Sequence, residues 1–142
     1  MANIIKSIEC PQETHPAGKV IFEEGAQSNC FYVIRAGQID VYKHYGKPTQ
    51  FKLASIPAGR VLGEISCLDD MPRTATAIAQ SEVTLVRIPA SSLKWQLTQC
   101  PDWFRSVILD LVQRLRATDN LIPTSEQGSH IREITSMADV KE

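Results

Sequence analysis

Between positions 63 and 77 the chain reads Gly63-Glu64-Ile65-Ser66-Cys67-Leu68-Asp69-Asp70-Met71-Pro72-Arg73-Thr74-Ala75-Thr76-Ala77. A glycine lets backbone approach a ligand, a short helical turn after it points free N–H groups outward, and an arginine follows just before a strand. These are the parts of an anion cradle. The planar guanidinium of Arg73 matches two oxygens of a phosphate group, and backbone amides around Ser66 and Cys67 complete the shell. A phosphate diester with one negative charge suits such a cradle. Glu64, which only accepts hydrogen bonds when ionised, is placed to take one from a hydroxyl close to the phosphate, as a ribose 2′-OH would offer. The same two side chains could instead form a salt bridge between a loop and a strand, the commoner reason for such a pair, and spacing alone leaves both readings open. Ser66 and Cys67 read as donors or fillers, since no general base accompanies them in sequence.

The elements that must hold this segment divide the chain in two. Six of the seven glycines fall between Gly18 and Gly63, the seventh being Gly128, so turns cut the front half into short pieces. Pieces rich in β-branched and aromatic residues lie between them: Lys19 to Phe22, Cys30 to Arg35, Gln38 to Tyr42, Phe51 to Ile56, Thr74 to Ala79 and Val83 to Ile88. Short strands at this spacing predict a small sandwich or roll. After Pro89 the period changes. Ser91 or Ser92 can cap a helix through Leu97, and Pro101 with Asp102 starts a second one. There Phe104, Val107, Ile108, Leu111, Val112 and Leu115 form an amphipathic stripe that closes near Asn120 and Pro123. The plain expectation is that this stripe packs on the strands; a homodimer seam along 103–120 is the secondary one. From Thr124 the chain is polar, with Ile131, Ile134 and Met137 at a spacing of three, which predicts a tail that is helical only when docked on a partner.

Composition narrows the function. At 142 residues and 43% hydrophobic content the chain suits one core. The net charge of −1 leaves no field to hold a nucleic-acid backbone. Met1 to Lys6 contain no apolar h-region, and no apolar run approaches the ~20 residues of a membrane span, which predicts a soluble cytoplasmic protein. Cys10, Cys30, Cys67 and Cys100 lack C-x-x-C spacing, and with His15, His44 and His130 they form no convergent ligand pair, so reduced thiols and no metal are expected.

The segment resembles the phosphate-binding cassette of the cyclic-nucleotide-binding domain family, which includes bacterial catabolite activators, protein kinase A regulatory subunits and cyclic-nucleotide-gated channels. The family pattern runs from Gly-Glu through Leu to Pro-Arg and a small residue, matched by Gly63-Glu64, Leu68 and Pro72-Arg73-Thr74-Ala75. The similarity extends to Pro16-Ala17-Gly18-Lys19-Val20-Ile21-Phe22, Glu24-Gly25, Phe31-Tyr32-Val33-Ile34, Gly37-Gln38-Ile39 and Pro57-Ala58-Gly59, covering residues 13 to 118 in order. It implies a mainly β fold with flanking helices, a double-stranded β-helix or jelly-roll-like β-roll followed by C-terminal helices. It implies that Glu64 binds the ribose 2′-OH, Arg73 binds the cyclic phosphate, Gly63, Ile65, Ser66 and Thr74 donate from the backbone, and Val41 packs on the base. Leu62 stands where many relatives have phenylalanine, a mild departure since both are apolar. Thr74 also bears on base choice: its hydroxyl could reach the amine of a syn guanine, yet relatives with threonine there also accept cAMP. Met1 to Cys10 is a short remnant of the helical stretch that usually precedes the roll. The helix after the roll, Trp103 to Asn120, is implied to move toward the nucleotide and cover its base.

The expectation is therefore a domain over 13–120, preceded by a short segment 1–12 and followed by the tail 121–142. It binds cAMP or cGMP as ligand, uses no cofactor, performs no chemistry and regulates a protein partner in trans. A catabolite activator would continue into a helix-turn-helix, and the polar residues after Asn120 offer no recognition helix, so DNA binding is not expected. The competing readings are a β-roll interaction protein whose pocket has lost its ligand, and a cupin-like metal enzyme, which would need clustered histidines.

Overall fold

A computed structural model describes residues 10–119. The expectations for the helical remnant before Cys10, for the end of the last helix at Asn120 and Pro123, and for the tail with Ile131, Ile134 and Met137 lie outside the described residues. Eight strands form two antiparallel sheets, followed by helices. One sheet has the order β1 (Gln12–His15), β8 (Val83–Pro89), β3 (Cys30–Ala36), β6 (Val61–Leu62). The other runs β2 (Val20–Phe22), β7 (Thr76–Ala79), β4 (Gln38–Lys43), β5 (Phe51–Pro57). A short helix α1 (Glu64–Asp69) lies between β6 and β7, and α2 (Ala90–Thr98) and α3 (Asp102–Asp119) close the described chain. This is the mainly β roll with C-terminal helices that the sequence implied.

The run Cys30-Phe31-Tyr32-Val33-Ile34 is apolar without alternation because β3 is covered on both faces. Cys30, Tyr32 and Ile34 enter the core between the sheets with Ile39, Leu62, Ala77, Ala79, Val83 and Leu85. Phe31 and Val33 face the other way, onto a second cluster with Cys67 of α1, Val86, Ile88 and Ala90. Helix α1, which holds part of the anion cradle, is thus seated on the sheet by its own Cys67. The β3–β4 turn depends on Gly37 at φ +86°, where a Cβ would lie 2.2 Å from the carbonyl oxygen of Glu82.

Four expectations need correction. Strands β1 and β6 had no counterpart in the strands expected from sequence. β7 starts at Thr76, not Thr74, because Lys43 Nζ takes the carbonyl of Thr74 and draws that residue out of the ladder. Helix α2 starts at Ala90, directly after the strand, with Pro89 at the cap position and no capping bond from a serine side chain. Most consequentially, the α3 stripe is not packed on the strands. Only Val112 is buried (4% exposed), while Phe104 (41%), Val107 (49%), Leu111 (50%) and Leu115 (38%) are open. The helix rests on α1 with Val112 and the Arg116 edge inward, which leaves Phe104, Val107 and Leu111 open to solvent. Among the described residues no helix is long and apolar enough to cross a membrane.

Candidate functional site

Arg73 is the centre of the site. Its backbone is clamped to the β2–β3 turn, donating from N to Ala26 O (2.9 Å) and accepting at O from Gly25 N (2.8 Å). Its side chain then runs inward and is 5% exposed. Nη1 donates to Gly63 O at 2.9 Å, Nη2 donates to Cys30 O at 2.7 Å, and the guanidinium lies 4.1 Å from the centroid of the Phe22 ring. These hydrogen-bond acceptors are neutral, and Nε is buried with no partner among the described residues. A buried cation held by carbonyls and an aromatic face keeps its attraction for an anion. Cys67, 1% exposed, does not supply one. Burial pushes its thiol up, and the smaller pulls of Ser28 and the Arg73 charge act against that without being its largest influence.

Gly63 makes room for this arrangement. It caps α1 in the left-handed region at φ 82°, and a Cβ there would stand 2.3 Å from Arg73 Nη1. The cap provides no side-chain hydrogen bond, which leaves first-turn N–H groups to water or a ligand. Glu64 is the first residue of α1 and is half-buried. On the strand side, Lys43 (6% exposed) donates to Thr74 O and pairs with Glu24 Oε1 at 3.1 Å, fixing the backbone that follows Arg73. On the helix side, Ser66 Oγ donates to Pro72 O at 3.2 Å.

A cavity of about 220 Å³ opens over these groups. All eight residues singled out from sequence line it: Val41, Leu62, Gly63, Glu64, Ile65, Ser66, Arg73 and Thr74. Apart from Thr118 of α3, the polar members belong to the cassette, and Val41, Leu53, Ala54, Ile56, Val61 and Leu62 give an apolar wall. Sequence reasoning missed Phe22 under the guanidinium, and Leu115 and Thr118, which reach the cavity from α3. The resemblance implied that the helix from Trp103 covers the base, but the stripe did not show which of its side chains border the cavity. Among the described residues no three of His, Cys, Asp and Glu converge as metal ligands.

An anion cradle beside an apolar wall, on a β-roll with helices after it, defines a ligand-binding type of domain. The profile of the cyclic nucleotide-binding domain matches residues 12–100, and the chain belongs to that family, a regulatory ligand-binding domain. It is 33% identical over 91 residues to the cAMP-dependent protein kinase regulatory subunit of Aspergillus fumigatus, covering 64% of this chain and 21% of that protein. It is 26% identical over 127 residues to the CRP-like cAMP-activated global transcriptional regulator of Mycobacterium tuberculosis, covering 87% and 57%. Among solved structures, the catabolite activator protein of Thermus thermophilus matches with a TM-score of 0.61 at 26% identity, over 78% of this chain and 52% of that one. An EAL enzyme solved with cAMP and cyclic-di-GMP bound shares the fold, with a TM-score of 0.71 at 23% identity over 75% of this chain and 28% of that one. The chain thus spans only part of the length of these relatives.

Proposed function

We propose that the cavity binds a cyclic purine nucleotide, cAMP first and cGMP as the alternative, and that occupancy regulates a protein partner. The observation that carries this reading is the buried guanidinium of Arg73, bonded to neutral acceptors at the polar side of a cavity whose other wall is apolar. In this reading the cyclic phosphate lies against Arg73 and the backbone donors of Gly63, Ile65, Ser66 and Thr74. Glu64 accepts from the ribose 2′-OH, and the base lies on Val41 and Leu62, with Leu115 and Thr118 closing from α3. The relatives named for cAMP, and the solved proteins with cyclic nucleotides bound, support the ligand class. The ligand leaves unchanged: the reading assigns no general base to Ser66 or Cys67, and Cys67 is a buried thiol with its acidity suppressed. The binding unit is the span 13–120.

Calorimetry with cAMP and cGMP tests this. Arg73→Ala is expected to lose ~2–5 kcal/mol of binding free energy, since a desolvated charge pair is broken. Glu64→Gln keeps an acceptor and is expected to lose ~1–2 kcal/mol. Wild-type affinity in Arg73→Ala would place the ligand elsewhere, and preference for cGMP by more than about thirtyfold, ~2 kcal/mol, would reverse the order of ligands. With a net charge of −1 these residues are expected not to bind DNA. Fluorescence polarisation with duplex DNA at moderate salt checks that.

The open stripe on α3 favours a second statement, that two copies of this chain meet there. A helix presenting Phe104, Val107 and Leu111 in one row can be covered by the same row of a two-fold mate, the self-complementary arrangement of isologous dimers.

A further inference from the structure

Arg116 joins α3 to the anion cradle through more bonds than any contact of the apolar stripe would require. Its Nε and Nη2 hold the carboxylate of Asp69 in a two-pronged ion pair, with Nη2 to Asp69 Oδ1 at 2.8 Å. The two side chains are only 13% and 12% exposed. The same guanidinium donates from Nη1 to Pro72 O at 3.0 Å and from Nη2 to Ser66 Oγ at 3.3 Å. Pro72 O therefore has two donors, Arg116 Nη1 and the Ser66 hydroxyl.

That double occupancy has a consequence for ligand binding. A serine hydroxyl has one proton, and here it is committed to Pro72 O. To donate to a phosphate oxygen, Ser66 must release that carbonyl, and a half-buried carbonyl left without a donor costs free energy. With Arg116 in place the carbonyl keeps a partner, and Arg116 Nη2 continues to donate to Ser66 Oγ, leaving the proton to turn toward the ligand. Without Arg116 the hydroxyl stays tied to Pro72. We infer that Arg116 is a positioning residue that makes the Ser66 hydroxyl available to the ligand phosphate only when α3 is docked on the cassette. Because Leu115 and Thr118 border the cavity on the same turns of α3, recognition of the phosphate and coverage of the base end are joined by one guanidinium. Asp69 orients the fork and neutralises it, so that Arg116 acts through geometry and Arg73 remains the charge that meets the phosphate.

The inference rests on the reading of the cavity as a cyclic-nucleotide site, and the experiment separates the two. Affinity for cAMP is measured by calorimetry in the full chain and in Ser66→Ala, Arg116→Ala, Arg116→Lys, Ser66→Ala/Arg116→Ala and Arg73→Ala. Ser66→Ala and Arg116→Ala are each expected to weaken cAMP about tenfold, the scale of one hydrogen bond to a charged group. The double variant is expected to remain near the same tenfold, because both changes remove one interaction. Independent roles would instead multiply to about a hundredfold, and that result overturns the inference. Arg116→Lys keeps the positive charge but lacks the fork, and it is expected to lose affinity as Arg116→Ala does. Recovery of wild-type affinity by lysine would reduce Arg116 to a charge partner and also overturn it. Hydrogen exchange over 102–119 supplies a readout apart from affinity: cAMP is expected to protect α3 in wild type and not in Arg116→Ala. If wild type fails to bind, or Arg73→Ala binds as well as wild type, the site assignment fails; normal Arg73 dependence with multiplying Ser66 and Arg116 effects fails the coupling alone.

Discussion

Strand β3 and helix α3 are both rich in apolar side chains and use them in opposite ways. On β3, five consecutive residues from Cys30 to Ile34 are at most 8% exposed, because the second sheet lies on one face and α1 and α2 on the other. On α3, a stripe of comparable apolar content has one buried member, Val112, and the helix is joined to the rest by the ion pair of Arg116 with Asp69. The roll is held by burial over area, which is strong and non-directional. The helix is held by Val112 and a few directional contacts of Arg116. That difference predicts a rigid frame for the cradle and an element at its rim that a ligand can shift.

The largest effect is expected where the comparison is starkest. Ile34 is fully buried between the sheets, so Ile34→Ala leaves a cavity and is expected to lower unfolding free energy by ~2–5 kcal/mol. Urea denaturation followed by tryptophan-independent circular dichroism measures it. A loss below ~1 kcal/mol would mean that the roll relaxes around the void and is not the rigid frame described.

A smaller stability effect with a clear loss of binding is expected for Gly63→Ala. The left-handed backbone at φ 82° disfavours alanine by ~1–2 kcal/mol, and the added Cβ would meet Arg73 Nη1 at 2.3 Å. The arginine end must shift, because a strained residue shares its space. A drop in nucleotide affinity of tenfold or more, ~1.4 kcal/mol, is expected beside a modest fall in melting temperature. Unchanged affinity in a folded Gly63→Ala protein would show that the position of the guanidinium is not critical.

The same contrast decides what could be read from sequence. The cradle was legible because its parts are contiguous: Gly63, Glu64, Ser66 and Arg73 occupy one segment whose order carries the chemistry, and the structure lines one cavity with all of them. The roll was legible in most strands, since Cys30 to Ile34 or Val83 to Ile88 are apolar enough to be strands in any surroundings. β1 was not, because Gln-Glu-Thr-His has no apolar residue and becomes a strand only by pairing with Val83 to Val86. β6 is two residues long and exists through its register with Tyr32 and Val33. Arg116 reads locally as a cation near a helix C-terminus; its partner Asp69 lies 47 residues earlier, and no pattern within the helix points to it. The stripe on α3 showed which residues share a face and said nothing about what covers that face. Periodicity reports geometry, whereas burial depends on the neighbour.

The smallest effect on stability, and the sharpest on assembly, is expected at that stripe. Leu111 is half exposed, so its replacement by alanine removes little buried surface and is expected to change the unfolding free energy of a dilute chain by less than ~0.5 kcal/mol. If two copies meet along α3, the same side chain is covered in the dimer, and a charge there must be desolvated without a partner. Leu111→Asp is then expected to leave a folded monomer, while wild type sediments as a dimer at high concentration. Phe104→Ala should weaken the dimer in the same direction, by an amount set by the area its ring covers. Analytical ultracentrifugation across a concentration series reads both. A wild-type chain that stays monomeric at every concentration leaves the stripe to another occupant and removes the dimer. A dimer insensitive to Leu111→Asp would place the seam elsewhere on the roll, and α3 would then be held by Val112 and Arg116, with Phe104, Val107 and Leu111 facing water.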